Sequence, residues 1–468
     1  MWVFFFNLTK IIFKMQKPIL PKGTRDFNSD ELYKRNYIIN TIKENFSKFG
    51  FNPIETPSFE RSETLLGKYG QDGERLIFKI LKSGDFLKGI DVKELNSSSL
   101  APKIIDKALR YDLTVPFARY VVQNQNNITI PFKRYQIQNV WRADRPQKGR
   151  FREFIQCDAD VIGSNSMMQE IDFISLLDSV FNDLKIEGCK IKINSRKLLV
   201  AICEINNCID KFEILTRELD KLDKLSSSTV KKNLFENGFE DKIIDSLFQA
   251  IELSKNFNSN LDELKLYFET SEIGIEAISD IEYIFNYFSK NKLIRSNLVF
   301  DIGLARGIDY YTGIIFEVLP PNSINLGSIA AGGRYDNLTE IFGLKNMSGI
   351  GISFGLDRLF LVVKELDLFP KLLNKSLKVL ILNFSDSFSY DLIEITNFLR
   401  FNKINSEFYP DPIPLKKQLN YANKNDVPYV LFYGSEEKAK GSMKLKDMKT
   451  GKQQIVDRDE LLKTLKKN

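Results

Sequence analysis

The chain has 468 residues, 43% of them hydrophobic, and its 67 Lys+Arg against 61 Asp+Glu leave a formal charge of +6. That length suits two or three domains with real cores, and the mild basic excess permits a nucleic-acid partner without demanding one. The complete absence of histidine excludes an imidazole base, a Ser-His nucleophile pair, a histidine metal ligand and a histidine pH switch. Cys157, Cys189, Cys203 and Cys208 form no CxxC pair, so they are expected to be reduced structural thiols of a cytosolic protein and no zinc site.

The opening MWVFFFNLTKIIFK is apolar but too short to span a bilayer and lacks a small-residue cleavage site. Residues 1–14 are therefore expected to be an extension ahead of Met15, and no other apolar run is long enough for a membrane helix. Asn28 can cap a helix running to Phe49, with Tyr33, Tyr37, Ile42 and Phe46 at helical spacing and Gly50 as the stop. FNPIETPSFE carries two prolines and suits an edge strand or an interface. Residues 81–103, rich in Gly and Ser, predict a mobile loop. LRYDLTVPFARYV predicts a short strand with Asp112 and Thr114 on one face, then a break at Pro116 and a helix.

A charged hairpin is predicted over 132–163, followed by a helix with Met167, Ile171, Ile174, Leu177, Phe181 and Leu184 on one face. Helical patterns dominate 195–290, which predicts an inserted helical domain. Strand texture returns in LVFDIGLARGIDYYTGIIFEV; AAGGRYDNL predicts a turn, and GIGISFGLDRLF a strand running into a helix. Beyond Pro370 the pattern alternates as in a compact α/β domain.

The hairpin's second strand carries most of the chemistry. With period two, Arg152, Phe154, Gln156, Asp158 and Asp160 share one face, and the largely apolar set Phe151, Glu153, Ile155, Cys157, Ala159 and Val161 shares the other. A polar strand face ordinarily meets water. Here Arg142, Arg145, Lys148 and Arg150 converge on one end of it. Arginine forks suit phosphate oxygens, and the flat Phe154 offers a base a stacking surface. The carboxylates at the other end suit an ammonium or a protonatable ring. Arg358 falls in the first turn of the helix after GISFG, where backbone N–H groups also meet anions. In RGIDYY, Arg306 precedes two phenols, Tyr310 and Tyr311, each able to donate to or accept from a ring nitrogen.

From KGTRDF at 22–27 to the C-terminus, the chain resembles histidyl-tRNA synthetase, a class II aminoacyl-tRNA synthetase. FNPIETPSFE stands where motif 1 belongs, FKRYQIQNVWRADRPQKGRFREFIQCDADV resembles motif 2, and GIGISFGLDRLF resembles motif 3. LARGIDYYTGIIFEV and AAGGRYDNL resemble the two histidine-specific peptides.

The resemblance implies an α+β fold: a class II antiparallel sheet flanked by helices, an inserted helical domain and a C-terminal α/β anticodon-binding domain. The implied division is an extension over 1–14, a catalytic domain over 15–194 and 291–370, the insertion over 195–290 and the anticodon-binding domain over 371–468. It implies that Arg142 meets the α-phosphate and the amino-acid carboxylate, and that Arg150 and Arg358 hold the outer phosphates, with adenine between Phe154 and Arg358. Asp112, Thr114 and Gln156 would receive the α-ammonium. Asp160 and Tyr311 would read the imidazole with Tyr310 beside them, and Arg306 would stabilise charge at the α-phosphate. Arg145 and Gln147 would touch the tRNA acceptor end.

ATP with Mg²⁺, L-histidine and tRNA(His) are the implied ligands, in a cytoplasmic homodimer without a membrane partner and without a protein-bound metal. Three rivals stand beside this reading: a catalytically silent histidine sensor of the ATP phosphoribosyltransferase regulatory-subunit type, a class II synthetase for another amino acid, and an RNA-binding module without chemistry.

Overall fold

The computed structural model describes residues 17–67, 69–90, 97–223, 225–305, 310–370 and 377–466; the proposed N-terminal extension lies outside them. The chain divides into two compact units, residues 1–369 and 370–468.

In the larger unit the strands are β1 (Asn52–Pro53), β2 (Phe59–Arg61), β3 (Lys79–Leu81), β4 (Ile105–Leu109), β5 (Phe132–Trp141), β6 (Glu153–Ile162), β7 (Cys189–Ser195), β8 (Ser296–Phe300), β9 (Ile314–Leu319), β10 (Ala330–Tyr335) and β11 (Gly349–Gly355). Among the described residues, eight of these form one sheet in the order β1-β5-β6-β11-β10-β9-β7-β8. Pairing is antiparallel through the centre and parallel at the two ends, β1 with β5 and β7 with β8. Strands β2, β4 and β3 make a small second sheet. The proline-bearing β1 sits at the edge, where a missing N–H costs no ladder bond.

One face of the large sheet is the core. Cys157, Ala159 and Val161 of β6 are buried with Ile38, Ile42 and Phe46 of the helix Ser29–Lys48, and with Phe173, Leu177 and Phe181 of Met168–Asp183. The first of these helices starts as its sequence requires: the Asn28 side chain accepts from the Glu31 N–H at 2.9 Å. Leu359 and Val363 of the helix Leu356–Glu365 close the same layer. Helices from Arg196–Ile205 to Glu272–Lys290 fill the region 196–290, and their buried Leu199, Ile202 and Ile281 join the core that holds Ile191 and Ile193 of β7.

The smaller unit carries β12 (Val379–Ile381), β13 (Ser406–Phe408), β14 (Tyr429–Phe432), β15 (Met443–Asp447) and β16 (Gln453–Val456), in the order β13-β12-β14-β15-β16. Leu392, Ile395 and Leu399 of the helix Ser389–Phe401 pack on Val379 and Ile381. The two units give the expected α+β architecture, with a large antiparallel sheet and a C-terminal α/β body. Among the described residues no helix is long and apolar enough to cross a membrane.

Four local expectations are corrected. The stretch expected to be a mobile loop over 81–103 contains a helix, Ser97–Ile104, with Pro102 inside it. AAGGRY is the interior strand β10, not a turn. Asp112 and Thr114 do not share a strand face: β4 ends at Leu109 and Thr114 opens the helix Thr114–Gln123. Pro116 does not break that helix, because it sits in the first turn, where its missing N–H is one that the helix leaves unpaired anyway.

Candidate active site

The polar face of β6 opens into a cavity of about 1020 Å³. Phe154, Gln156, Asp158 and Asp160 line it in alternation, while the residues between them enter the core. The alternation begins only at Glu153, where β6 begins. Phe151 therefore lines the cavity, and Arg152, expected on the polar face, turns its Nε to the Asp144 carbonyl at 3.2 Å.

One end of the cavity is cationic. Arg142 follows β5, and its Nε donates to the Tyr111 carbonyl at 3.0 Å. Its guanidinium lies 4.2 Å from the Tyr111 ring centre and 5.3 Å from that of Phe154. Arg150 lines the same end, 3.7 Å from the Asp144 carboxylate. Arg358, in the first turn after β11, donates from Nη1 to the Ser328 carbonyl at 2.7 Å. Gly149, at φ +70°, lets the hairpin loop pass over it: a Cβ there would stand 3.1 Å from the Arg358 Cγ. The expected convergence of the loop's cations is only partly realised. Arg145 and Gln147 are exposed and outside the cavity lining, and Lys148 pairs outward with Glu365 at 2.7 Å.

The other end is anionic and walled with phenols. Asp112 is buried; its Oδ1 accepts from the Tyr69 hydroxyl at 2.8 Å and the Val115 N–H at 3.2 Å, and its Oδ2 from the Tyr310 hydroxyl at 3.4 Å. Asp160 accepts from the Tyr335 hydroxyl at 2.8 Å and pairs with Arg134 at 2.8 Å, with both ion-pair side chains buried. Burial raises the pKa of both carboxyls, against the lowering pull of these partners. Asp158 lies between Gln156 and Asp160 in the alternation; burial and the neighbouring Asp160 charge push it up to about 7, against Arg134 and a hydrogen bond from Ser353. Gln156 donates to the Ser353 hydroxyl at 2.9 Å. Thr114, Tyr310 and Tyr311 complete this end, the two tyrosine rings 4.9 Å apart and edge to face.

Glycine makes the room. A Cβ on Gly351, the cross-strand partner of Asp160, would stand 2.1 Å from the Asp160 Oδ1. One on Gly332 would stand 2.1 Å from the Gly351 carbonyl oxygen, and one on Gly333 would stand 2.9 Å from the Tyr311 ring.

The structure thus brings together Asp112, Thr114, Arg142, Arg150, Phe154, Gln156, Asp160, Tyr310, Tyr311 and Arg358, and leaves Arg145 and Gln147 on the surface. Arg306 lies outside the described residues. Sequence reasoning missed Arg134, Tyr69 and Tyr335, and gave Asp158 only a share, with Asp160, in a carboxylate pair suited to an ammonium or a protonatable ring. Arg134 was within reach, because the hairpin register places it opposite Asp160. Nothing in LLGKYG marks Tyr69.

The histidyl-tRNA synthetase family model matches residues 105–359, and an anticodon binding domain model matches residues 378–468. The chain is 53% identical to the histidine–tRNA ligase of Christiangramia forsetii, over 96% of this chain and 100% of that one. It is 48% identical to the histidine–tRNA ligase of Flavobacterium johnsoniae, over 96% of this chain and 99% of that one. The crystal structure of histidyl-tRNA synthetase from Nostoc matches with a TM-score of 0.77 at 27% identity, covering 97% of this chain and 99% of that one. With a cavity cationic at one end and anionic at the other, and with this likeness over nearly its whole length, the chain belongs to the histidyl-tRNA synthetase family.

Proposed function

We propose that the chain is a histidine–tRNA ligase, which activates L-histidine with ATP and transfers it to the 3′ end of tRNA(His). The observation that carries this reading is the division of one cavity into a triad of arginines and a phenol-buttressed set of acids. A zwitterionic amino acid laid across it has its carboxylate directed at Arg142 and its ammonium at Asp112, Thr114 and Gln156. Asp160, held by Tyr335 and Arg134, and Tyr311 face the ring, with Tyr310 alongside.

Arg150 and Arg358 take the outer phosphates of ATP, and Phe154 and Arg358 sandwich the adenine. The histidine carboxylate oxygen attacks the α-phosphorus and pyrophosphate leaves. The terminal ribose hydroxyl of the tRNA then attacks the acyl carbon and AMP leaves. Arg142 and Arg306 offset the charge that grows on the α-phosphate, so the first step rests on positioning and electrostatics and needs no imidazole from the protein. Among the described residues no cluster of three metal-ligating side chains occurs. Mg²⁺ enters on the triphosphate as part of the substrate, in keeping with its preference for phosphate oxygens and water.

Arg145 and Gln147, exposed beside the cavity end, meet the acceptor end of the tRNA, and residues 371–468 read its anticodon. The enzyme works as a cytoplasmic homodimer. The silent-sensor reading is disfavoured by the anticodon-domain match and by the arginines at the cavity.

Amino-acid-dependent ATP–pyrophosphate exchange tests the proposal, with Arg306→Ala in parallel. Exchange with histidine that falls sharply in the variant supports it. Histidine binding without exchange overturns it in favour of a sensor, and exchange with another amino acid overturns the specificity.

A further inference from the structure

Tyr310 and Tyr311 enter the pocket from a stretch just before β9 that belongs to no helix or strand. Gly333, Arg334 and Asp336, at and just past the end of β10, hold that stretch. The Tyr311 ring lies over Gly333, where a Cβ would stand 2.9 Å from it. The Thr312 N–H donates to the Arg334 carbonyl at 2.8 Å. A Cβ on Gly313 would stand 3.2 Å from the Arg334 Cδ, so the backbone there packs on the arginine stem. Asp336 closes the arrangement. Its Oδ2 accepts from the Thr312 hydroxyl at 2.5 Å, and that hydroxyl oxygen accepts from the Asp336 N–H at 3.1 Å. Its Oδ1 accepts from the Ser348 hydroxyl at 2.6 Å, and the Ser348 Oγ accepts from the Arg334 Nη1 at 2.7 Å. Both carboxylate oxygens are thus engaged, and each hydroxyl both donates and accepts. Yet Thr312, Asp336 and Ser348 are all outside the cavity lining. What they hold is the backbone that carries two phenols into it.

We propose that Asp336, acting through the Thr312 hydroxyl, is a positioning residue for the tyrosine pair: it sets where the Tyr311 phenol stands and so how well the pocket fits the ring of the amino acid. The inference rests on the ligase reading above and goes beyond it, because it gives a task to residues that touch no ligand. Tyr310 has an anchor of its own on Asp112, though a long one at 3.4 Å. The Tyr311 ring over Gly333 is free to slide, whereas hydrogen bonds fix both distance and angle. The reach of Tyr311 therefore follows the latch on Thr312, its neighbour in the chain. The bland alternative is a latch that only secures the end of β10 and adds to stability.

Thr312→Val separates the two, since it keeps the shape and removes the hydroxyl; Thr312→Ser keeps the hydroxyl. The experiment is histidine-dependent ATP–pyrophosphate exchange on the full chain, with inhibition by imidazolepropionate, which carries the ring without an ammonium, and with the Tm of each variant. The expected result for Thr312→Val is a rise in the KM for histidine of about tenfold, given that a misplacement of about 1 Å costs on the order of a hundredfold. The Ki for imidazolepropionate rises in step, the KM for ATP stays within about twofold, and Thr312→Ser recovers most of the loss. Asp336→Asn, which keeps one carboxylate acceptor of the two, is expected to show the same split at smaller size, and it carries the comparison if Thr312→Val does not fold. A lowered Tm with both KM values unchanged overturns the inference, because the latch would then serve only the fold. Equal rises in the two KM values also overturn it, since the loosening would not be confined to the tyrosine pair. Both of these outcomes leave the ligase reading standing; absence of histidine-dependent exchange in the unmodified protein overturns that reading and the inference with it.

Discussion

Arg334 of β10 is ion-paired to Glu170 of the helix Met168–Asp183, and its removal gives a calculable loss. Its Nε and Nη2 donate to the two oxygens of Glu170 at 2.5 and 2.7 Å, and Glu170 is wholly buried. Its Nη1 donates to the Ser348 hydroxyl at 2.7 Å and the Ser164 carbonyl at 2.9 Å. Arg334→Met keeps much of the volume but leaves the Glu170 carboxylate buried and unpaired. Breaking a buried pair from one side costs ~3–5 kcal/mol, a sizeable share of a total stability of about 5–15 kcal/mol. Spread over the unfolding entropy of the 369-residue unit, that is a fall of about 4–6 °C in the Tm of its transition.

The assay is scanning calorimetry of Arg334→Met, Glu170→Gln and the double variant at one pH. Each single variant is expected to lose stability. The double variant is expected to recover most of it, since a buried pair replaced as a whole is close to neutral. A Tm for Arg334→Met within 1 °C of the unmodified protein would refute the reasoning. So would a double variant that loses the sum of the two singles, which would mean that the pair is not coupled.

The remaining predictions concern the pocket. Gly351→Ala puts a methyl group 2.1 Å from the Asp160 Oδ1; the KM for histidine is expected to rise about tenfold or more, with that for ATP little changed, in exchange kinetics. Arg358→Ala is expected to raise the KM for ATP by about tenfold and to spare that for histidine, as the loss of a charged hydrogen bond to phosphate requires. Tyr69→Phe removes one donor to Asp112, leaving the Tyr310 hydroxyl and the Val115 N–H, and is expected to cost ~1–2 kcal/mol in urea unfolding. Asp158→Asn is expected to change the pH dependence of stability. The folded pKa of about 7 lies above the ordinary carboxylate value of 3.8, so between the two the native state holds a proton that the unfolded state has lost. That favourable contribution is complete below about pH 4 and gone above about pH 7, amounting to at most several kcal/mol. The variant should therefore gain on the unmodified protein as the pH rises across this window, and parallel stability curves would refute it. Arg134, Arg110, Asp112, Asp160, Tyr311 and the adjacent Cys157 are the charged or titratable groups that bear on Asp158, and all are retained in this comparison.

Much of this site is legible from strand periodicity, because a hairpin buried on one face leaves no freedom in which residues point away from the core. Phe154, Gln156 and Asp160 follow from that alone. The same rule applied to β5 would have reached Arg134, since register pairs it with Asp160. Parity fails where the strand stops: Arg152 precedes Glu153, and its direction is set by a loop hydrogen bond to Asp144. AAGGRY misleads for a related reason. Paired glycines signal turns by their backbone freedom, but in β10 they serve close approach, of Gly332 to the Gly351 carbonyl and of Gly333 to the Tyr311 ring. Tyr69 and Tyr335 could not be placed because their partners, Asp112 and Asp160, lie 43 and 175 residues away in the chain.

The phenols explain why a pocket can keep three acids so close. Tyr69 and Tyr335 are buried and Tyr310 half-buried against carboxylates, and burial together with that negative charge raises their pKa values well above the ordinary phenol value. They therefore remain donors. A phenol satisfies a carboxylate's lone pair without neutralising it, whereas an arginine does both. Arg134 cancels one unit of charge at Asp160, and the phenols leave the charge of the other acids uncancelled wherever these are ionised. At the opposite end Arg142, Arg150 and Arg358 leave the balance positive. Such a cavity orients before it binds. On the ligase reading proposed above, a triphosphate is disfavoured at one end and an ammonium at the other, so this field turns the amino-acid carboxylate toward the α-phosphate. The stability given up by burying Asp158 is the cost of that polarity.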